Sequence, residues 1–117
     1  MKGENLIETK SYAFAVRIVR LYQHLSAKKK EFVLSRQILR AGTGIGANVE
    51  EAIGGQSRAD FISKMAIAYK EARETACRLR LLKDTDYITE SEFLSIHADA
   101  EELCRIIASI RNSSKAN

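Results

Sequence analysis

Proline is missing from the 117-residue chain, and aromatic residues make up only 7% of it. The first absence favours helices, because a proline inside one costs about 3 kcal/mol or more. The second leaves few rings for stacking on bases, and most of the eight aromatics fall at expected core positions. Cysteine occurs twice, at Cys77 and Cys104, too far apart in sequence to form a CxxC motif. Two small, half-buried thiols in a reducing cytosol are the expected reading. No apolar run approaches the ~20 residues that a bilayer span requires, and none of signal-peptide length follows Met1-Lys2-Gly3-Glu4-Asn5. A soluble cytoplasmic protein without a membrane partner is therefore expected. The two histidines, His24 and His97, lie near no Cys or Ser in a recognisable motif, so no catalytic triad is spelled out.

What the chain does contain is helical period. Hydrophobic residues at 45% and charged residues at 29% suit one globular domain, residues 1–117. Ile7, Phe14, Ile18, Leu21 and Leu25 share one helix face behind an Asn5-Leu6-Ile7-Glu8 capping box. Ser35 is placed to cap a second helix with the stripe Ile38, Ala41, Ile45, Val49 and Ala52, stopped by Gly54-Gly55. Ser57-Arg58-Ala59-Asp60 opens a third, whose stripe is Phe61, Met65, Ala68, Ala72, Thr75, Leu79 and Leu82. Thr89-Glu90-Ser91-Glu92 opens a fourth, with Phe93, Ile96, Ala100, Leu103, Ile107 and Ile110 at a and d positions. Helices over about 6–28, 35–53, 58–84 and 90–111 are expected, with a frayed tail from Asn112. Short connections make neighbours antiparallel, so the fold class is all-α, an up-down-up-down four-helix bundle.

Five of the six glycines lie between Gly42 and Gly55. Gly42, Gly44 and Gly46 fall inside the second helix, where each costs close to 1 kcal/mol relative to alanine. The missing strand and the missing Lys-Ser/Thr of a P-loop argue against a phosphate-cradling loop. Close packing is the expected reason, inside the chain or between subunits. Beside the apolar stripe run Gln37, Ala41, Gly44, Asn48 and Glu51, and on the third helix Lys64, Ile67, Glu71, Glu74 and Arg78. Carboxylates on adjacent helices raise a metal site, but the Glu-x-x-His of dinuclear bundles is absent, and no metal or other cofactor is expected. An ionic network of Asn48, Glu51, Glu71 and Glu74 with Arg40 or Arg78 is the preferred reading, fixing helix register or subunit contacts.

Charge is segregated along the chain. Residues 1–30 carry +5, residues 31–56 −1, residues 57–84 +3 and residues 85–117 −3. Arg17, Arg20, His24 and Lys28 form a ridge on the first helix, extended by Lys29 and Lys30; Lys70, Arg73 and Arg80 form another on the third. Such ridges are either solvated faces or backbone contacts to RNA or DNA, salt-sensitive and weakly sequence-specific. Diagonal helices would not merge them within one copy, whereas an oligomer could.

The stretch Leu34-Ser35-Arg36-Gln37-Ile38-Leu39-Arg40-Ala41, with Ile45, Asn48-Val49-Glu50-Glu51 and Ser57-Arg58-Ala59-Asp60-Phe61, resembles a bacterial four-helix-bundle family encoded in intervening sequences of 23S rRNA genes. Lys64-Met65-Ala66-Ile67-Ala68, Lys70-Glu71-Ala72-Arg73-Glu74-Thr75 and Leu79-Arg80-Leu81-Leu82 resemble one subgroup. The resemblance covers roughly residues 5–110 and implies a homopentameric ring. A related accessory protein of diversity-generating retroelements, similar in fold, binds nucleic acid and reverse transcriptase through a basic surface. The resemblance implies no enzyme and no small-molecule substrate. The leading expectation is an oligomeric bundle that contacts RNA or DNA; the alternative is a protein–protein adaptor for a polymerase or reverse transcriptase. Two departures stand out: Cys77 and Arg78 replace two aromatics usual in the subgroup, and Ala52 replaces the glycine ending its NIAEG-like pattern.

Overall fold

Helices form where apolar residues recur at three and four, because that spacing gives each segment one face to bury. The computed structural model describes residues 2–116, with side chains from 5 to 115. α1 spans Lys2–Ala27, α2 Leu34–Ile53, α3 Arg58–Asp84 and α4 Glu90–Ala116. No strand occurs among the described residues. The connections 28–33, 54–57 and 85–89 are short, and each helix packs on two neighbours in the cyclic order α1, α2, α3, α4. The diagonal backbones stay apart, so the architecture is an up-down-up-down bundle with extents of 46 × 21 × 18 Å.

The core follows the apolar stripes. Phe14 and Ile18 of α1 share one core cluster with Ile38, Ile45 and Val49 of α2, Met65 and Leu79 of α3, and Leu103 and Ile107 of α4, all nearly or wholly buried. Leu21, Phe61 and Ile110 sit at its margin, partly buried, while Ile88 and Cys104 join it. Among the described residues three polar ones are buried, and each is satisfied by its own turn: Ser11 Oγ donates to Glu8 O, Ser35 Oγ to Glu31 O and Thr75 Oγ1 to Glu71 O, at 3.3, 2.8 and 2.7 Å. Of the two thiols, Cys104 is buried and Cys77 exposed, so neither is the half-buried pair expected.

Several helix ends depart from the sequence reading. Asn5 and Glu8 lie within α1, not at its cap, because the helix already begins at Lys2 and no proline blocks it. α4 continues through the polar tail to Ala116, where nothing breaks the helix. Ser35 is not the cap of α2. Glu31 supplies that function from the connection, its carboxylate accepting from the N–H groups of Val33, Leu34 and Ser35 at 3.2, 3.1 and 2.8 Å. Burial opposes ionisation of Glu31, but these bonds outweigh it and hold its carboxyl below the usual value.

The other caps match their motifs. Ser57 Oγ accepts from Asp60 N–H at 3.0 Å. Thr89 and Glu92 form a reciprocal capping box, 2.8 and 3.1 Å. Gly54 ends α2 at φ −83°, so the stop needs no left-handed backbone there. The left-handed positions are instead Lys30 at φ 56° and Asp86 at φ 67°. Asp86 occupies a Schellman turn after α3: Asp86 N–H donates to Lys83 O at 3.0 Å and Tyr87 N–H to Leu82 O at 2.9 Å.

Candidate nucleic-acid interface and polar seam

The polar stripes of α2 and α3 face each other. Arg40 donates to Glu71 at 3.1 Å and to Glu74 at 2.6 Å, and Arg78 joins Glu74 at 2.7 Å to Gln37 at 2.7 Å. Arg78, then Arg40, hold the Glu74 carboxyl below its usual range, and Glu74 with Glu71 raises the Arg40 guanidinium further. Asn48 and Glu51 stand outside this network. Asn48 Nδ2 donates to Gly44 O of its own helix at 2.8 Å, and Glu51 pairs with Lys64 at 3.0 Å. The seam is an ordered ion network with acids already paired. No cluster of three or more His, Cys, Asp or Glu suited to a metal ion occurs among the described residues.

Two of the three helical glycines are accounted for by close packing within the chain. A Cβ on Gly42 would lie 2.7 Å from Ile18 Cγ1, so α1 approaches α2 there as only glycine permits. A Cβ on Gly44 would stand 3.1 Å from Glu71 Oε2, inside the room that carboxylate uses to reach Arg40. At Gly46 the nearest atom, Ser11 O, is 3.5 Å away, an ordinary contact.

The basic ridges are treated unequally. Arg17 turns to α4, donating to Asp99 Oδ2 at 2.6 Å, to Ser95 Oγ at 3.0 Å and to Ser95 O at 3.3 Å. Lys10 pairs with Glu102 at 3.1 Å. The acidic fourth segment therefore neutralises part of the basic first one. Arg20, Lys28, Lys29, Lys30, Lys70, Arg73 and Arg80 are exposed and hold no ion pair among the described residues. Arg73 and Arg80 line a small hollow of 120 Å³ between α3 and α4, with Cys77, His97, Glu101 and Cys104. Burial, then the Glu101 charge, push the Cys104 thiol upward, which makes it a poor nucleophile. His97 stacks on Phe93 at 4.6 Å, and its Nε2 is buried with no hydrogen-bond partner, 3.4 Å from Glu101 Oε1. On the other side of α4, Arg20 and His24 border an open groove of 490 Å³ floored by Leu21, Ile88 and Ile96. Both ridges thus flank α4.

Two features escaped the sequence reading. Tyr12, Val16 and Val19 form an exposed apolar strip on α1, with Tyr12 71% exposed. Their spacing of four and three was visible, but the core stripe of the same helix accounted for its period. Glu8 and Glu50 stand together at one end of this strip, and the hydrogen bond from Glu8, with burial, raises the Glu50 carboxyl.

The model of the family described as 23S rRNA-intervening sequence protein matches residues 4–109. That is nearly the whole bundle. The chain belongs to this family. A solved structure is similar to it over 94% of this chain and 98% of the other, at 52% identity and a TM-score of 0.93. It is a protein of unknown function from the S23 ribosomal protein family of Bacteroides thetaiotaomicron VPI-5482. No curated protein matches. Within the intervening-sequence family pattern, the two departures are structurally plain: Cys77 is a solvent-facing residue of α3, Arg78 belongs to the Gln37–Glu74 network, and Ala52 is buried. No described helix is long and apolar enough to cross a membrane.

Proposed function

We propose that this intervening-sequence-family protein is a non-enzymatic, self-associating helical bundle that contacts the phosphate backbone of RNA or DNA. The observation that carries this is the set of cations left over once α4 has neutralised Lys10 and Arg17. Lys28, Lys29 and Lys30 crowd the α1–α2 connection, and Lys70, Arg73 and Arg80 line the outer side of α3. Cations without a protein partner are what a polyanion displaces counterions to reach. Phe32, 48% exposed, is the exposed aromatic beside Lys28, Lys29 and Lys30, and one ring among six cations leaves recognition mainly to backbone and shape. Arg17 is a scaffold residue in this reading, because its guanidinium is occupied by Asp99 and Ser95. Fluorescence anisotropy with a structured RNA and a DNA duplex, at about 50 and 200 mM salt, tests it. Affinity should fall steeply with salt and weaken for Arg73→Glu and Arg80→Glu. Absence of binding at the lower salt would remove the reading.

A further inference from the structure

Two aromatic rings stand exposed among the described residues, Tyr12 on α1 and Phe32 in the α1–α2 connection. Their electrostatic settings are opposite. Tyr12 lies one helical turn after Glu8, which hydrogen-bonds Glu50, so two acids stand at that end of its strip. Phe32 comes directly after Lys28, Lys29, Lys30 and Glu31. The acid of that run is already occupied, because the Glu31 carboxylate accepts from the N–H groups of Val33, Leu34 and Ser35. Lys29 lowers the Glu92 carboxyl from a distance, with no ion pair between them among the described residues. Exposed Arg36 follows in the first turn of α2. A polyanion is drawn to the second ring and repelled from the first.

The connection also braces the ring. Glu31 ties it to both helices, since its N–H donates to Leu25 O at 2.9 Å and its carbonyl accepts from Ser35 Oγ at 2.8 Å. Lys28 and Lys29 N–H groups share His24 O at 2.9 and 3.3 Å, and Lys30 turns the chain with a left-handed φ of 56°. Beneath the turn Leu25 and Ile38 are wholly buried and Leu34 packs on the core, so that end of the core closes without Phe32. A ring already held in place loses little freedom when another flat group stacks on it. Val33, 65% exposed, extends the apolar surface beside it. A duplex presents phosphates but keeps its base faces inside the stack, whereas an unpaired strand presents both. The α3 ridge of Lys70, Arg73 and Arg80 has no exposed ring among the described residues and serves phosphates alone.

Building on the proposed backbone contact, we infer that the connection 28–33 is a platform for an unpaired base, so single-stranded or looped nucleic acid is its ligand. Phe32 stacks on one base face while Lys28, Lys29 and Lys30 neutralise the phosphates on either side. This supplies what cations alone cannot, a distinction between paired and unpaired strands. Every base has a π face, so the platform does not read base identity.

Anisotropy at about 50 mM salt tests this with an unstructured pyrimidine single strand, as RNA and as DNA, against a duplex of equal length. A single strand of either kind should bind the wild-type chain more tightly than the duplex. Phe32→Ala should weaken single-strand binding roughly 5- to 100-fold, the loss of one stacked base, and leave duplex binding unchanged. Phe32→Leu, which keeps an apolar side chain on the turn, should show most of that loss, and Tyr12→Leu none. The chain has no tryptophan, so Phe32→Trp places a single indole at the site. Its fluorescence should be quenched by the single strand and not by an abasic strand of the same length. Phe32→Ala and Phe32→Leu proteins that keep the wild-type ratio of single-strand to duplex affinity would overturn the inference and leave the backbone contact standing. An indole left unquenched by a strand that binds would do the same. A wild-type chain that binds no strand at this salt would overturn both.

Discussion

The three glycines inside α2 look alike in the sequence and are not alike in space. Gly42 admits Ile18, a β-branched side chain with little freedom to yield. Gly42→Ala should therefore destabilise the fold by about 1–3 kcal/mol through overpacking, despite alanine's better helix propensity. Gly46→Ala should do the reverse, adding about 0.5–1 kcal/mol, since its Cβ meets only an ordinary contact. Urea unfolding of both variants checks the pair, and equal signs would contradict this account. Composition could say that glycines here need a reason. It could not say which neighbour supplies it, because that depends on how closely α1 approaches α2. Asp86 poses the converse case. It holds a left-handed backbone, φ 67°, at the turn after α3, where glycine is the usual choice. Asp86→Gly should raise the melting temperature by a few degrees, equivalent to about 1 kcal/mol or less.

At the scale of the helix, period was legible and boundaries were not. The four stripes are what the core uses, yet the start of α1, the end of α4 and the cap of α2 all lie elsewhere than the motifs suggested. A capping motif is a local offer, and the chain accepts it only where neighbouring residues do not continue the helix. Glu31 shows the other limit: its carboxylate reaches forward over a turn to three N–H groups, a geometry no four-residue pattern encodes. Glu31→Ala should cost about 1–2 kcal/mol near neutral pH, in the range of a lost cap. Glu31, Glu74 and Glu92 all ionise at lower pH in the fold than in the unfolded chain. Their stabilisation is complete above the unfolded carboxylate value of about 4.3 and is lost as pH falls through their folded values. Thermal melts from pH 7 downward should show stability falling below about pH 4.5, with the Glu31→Ala gap narrowing as it does.

For the whole molecule, segmental charge read from the sequence pointed outward to a polyanion or to a neighbouring subunit. The bundle adds a third destination, since α4 is both the acidic segment and the neighbour of the two basic helices. Which cations are spent internally and which remain free follows from helix order, and no ridge drawn on one helix contains that. Arg17 and Arg73 carry the same charge on similar ridges, but only Arg17 is met by a carboxylate. The Arg17–Asp99 pair is about 40% exposed on each side, so it contributes about 1 kcal/mol or less. Arg17→Ala should therefore lower stability slightly and leave the salt dependence of nucleic-acid affinity unchanged. Arg73→Ala and Arg80→Ala should leave stability unchanged and flatten that dependence, by about 0.9 in the log–log slope for each phosphate no longer neutralised. Measuring both quantities for all three variants separates a charge that organises the bundle from one that serves a partner. If Arg17→Ala flattened the slope as much as Arg73→Ala, the internal pairing would not govern function, and the division between the ridges would fail.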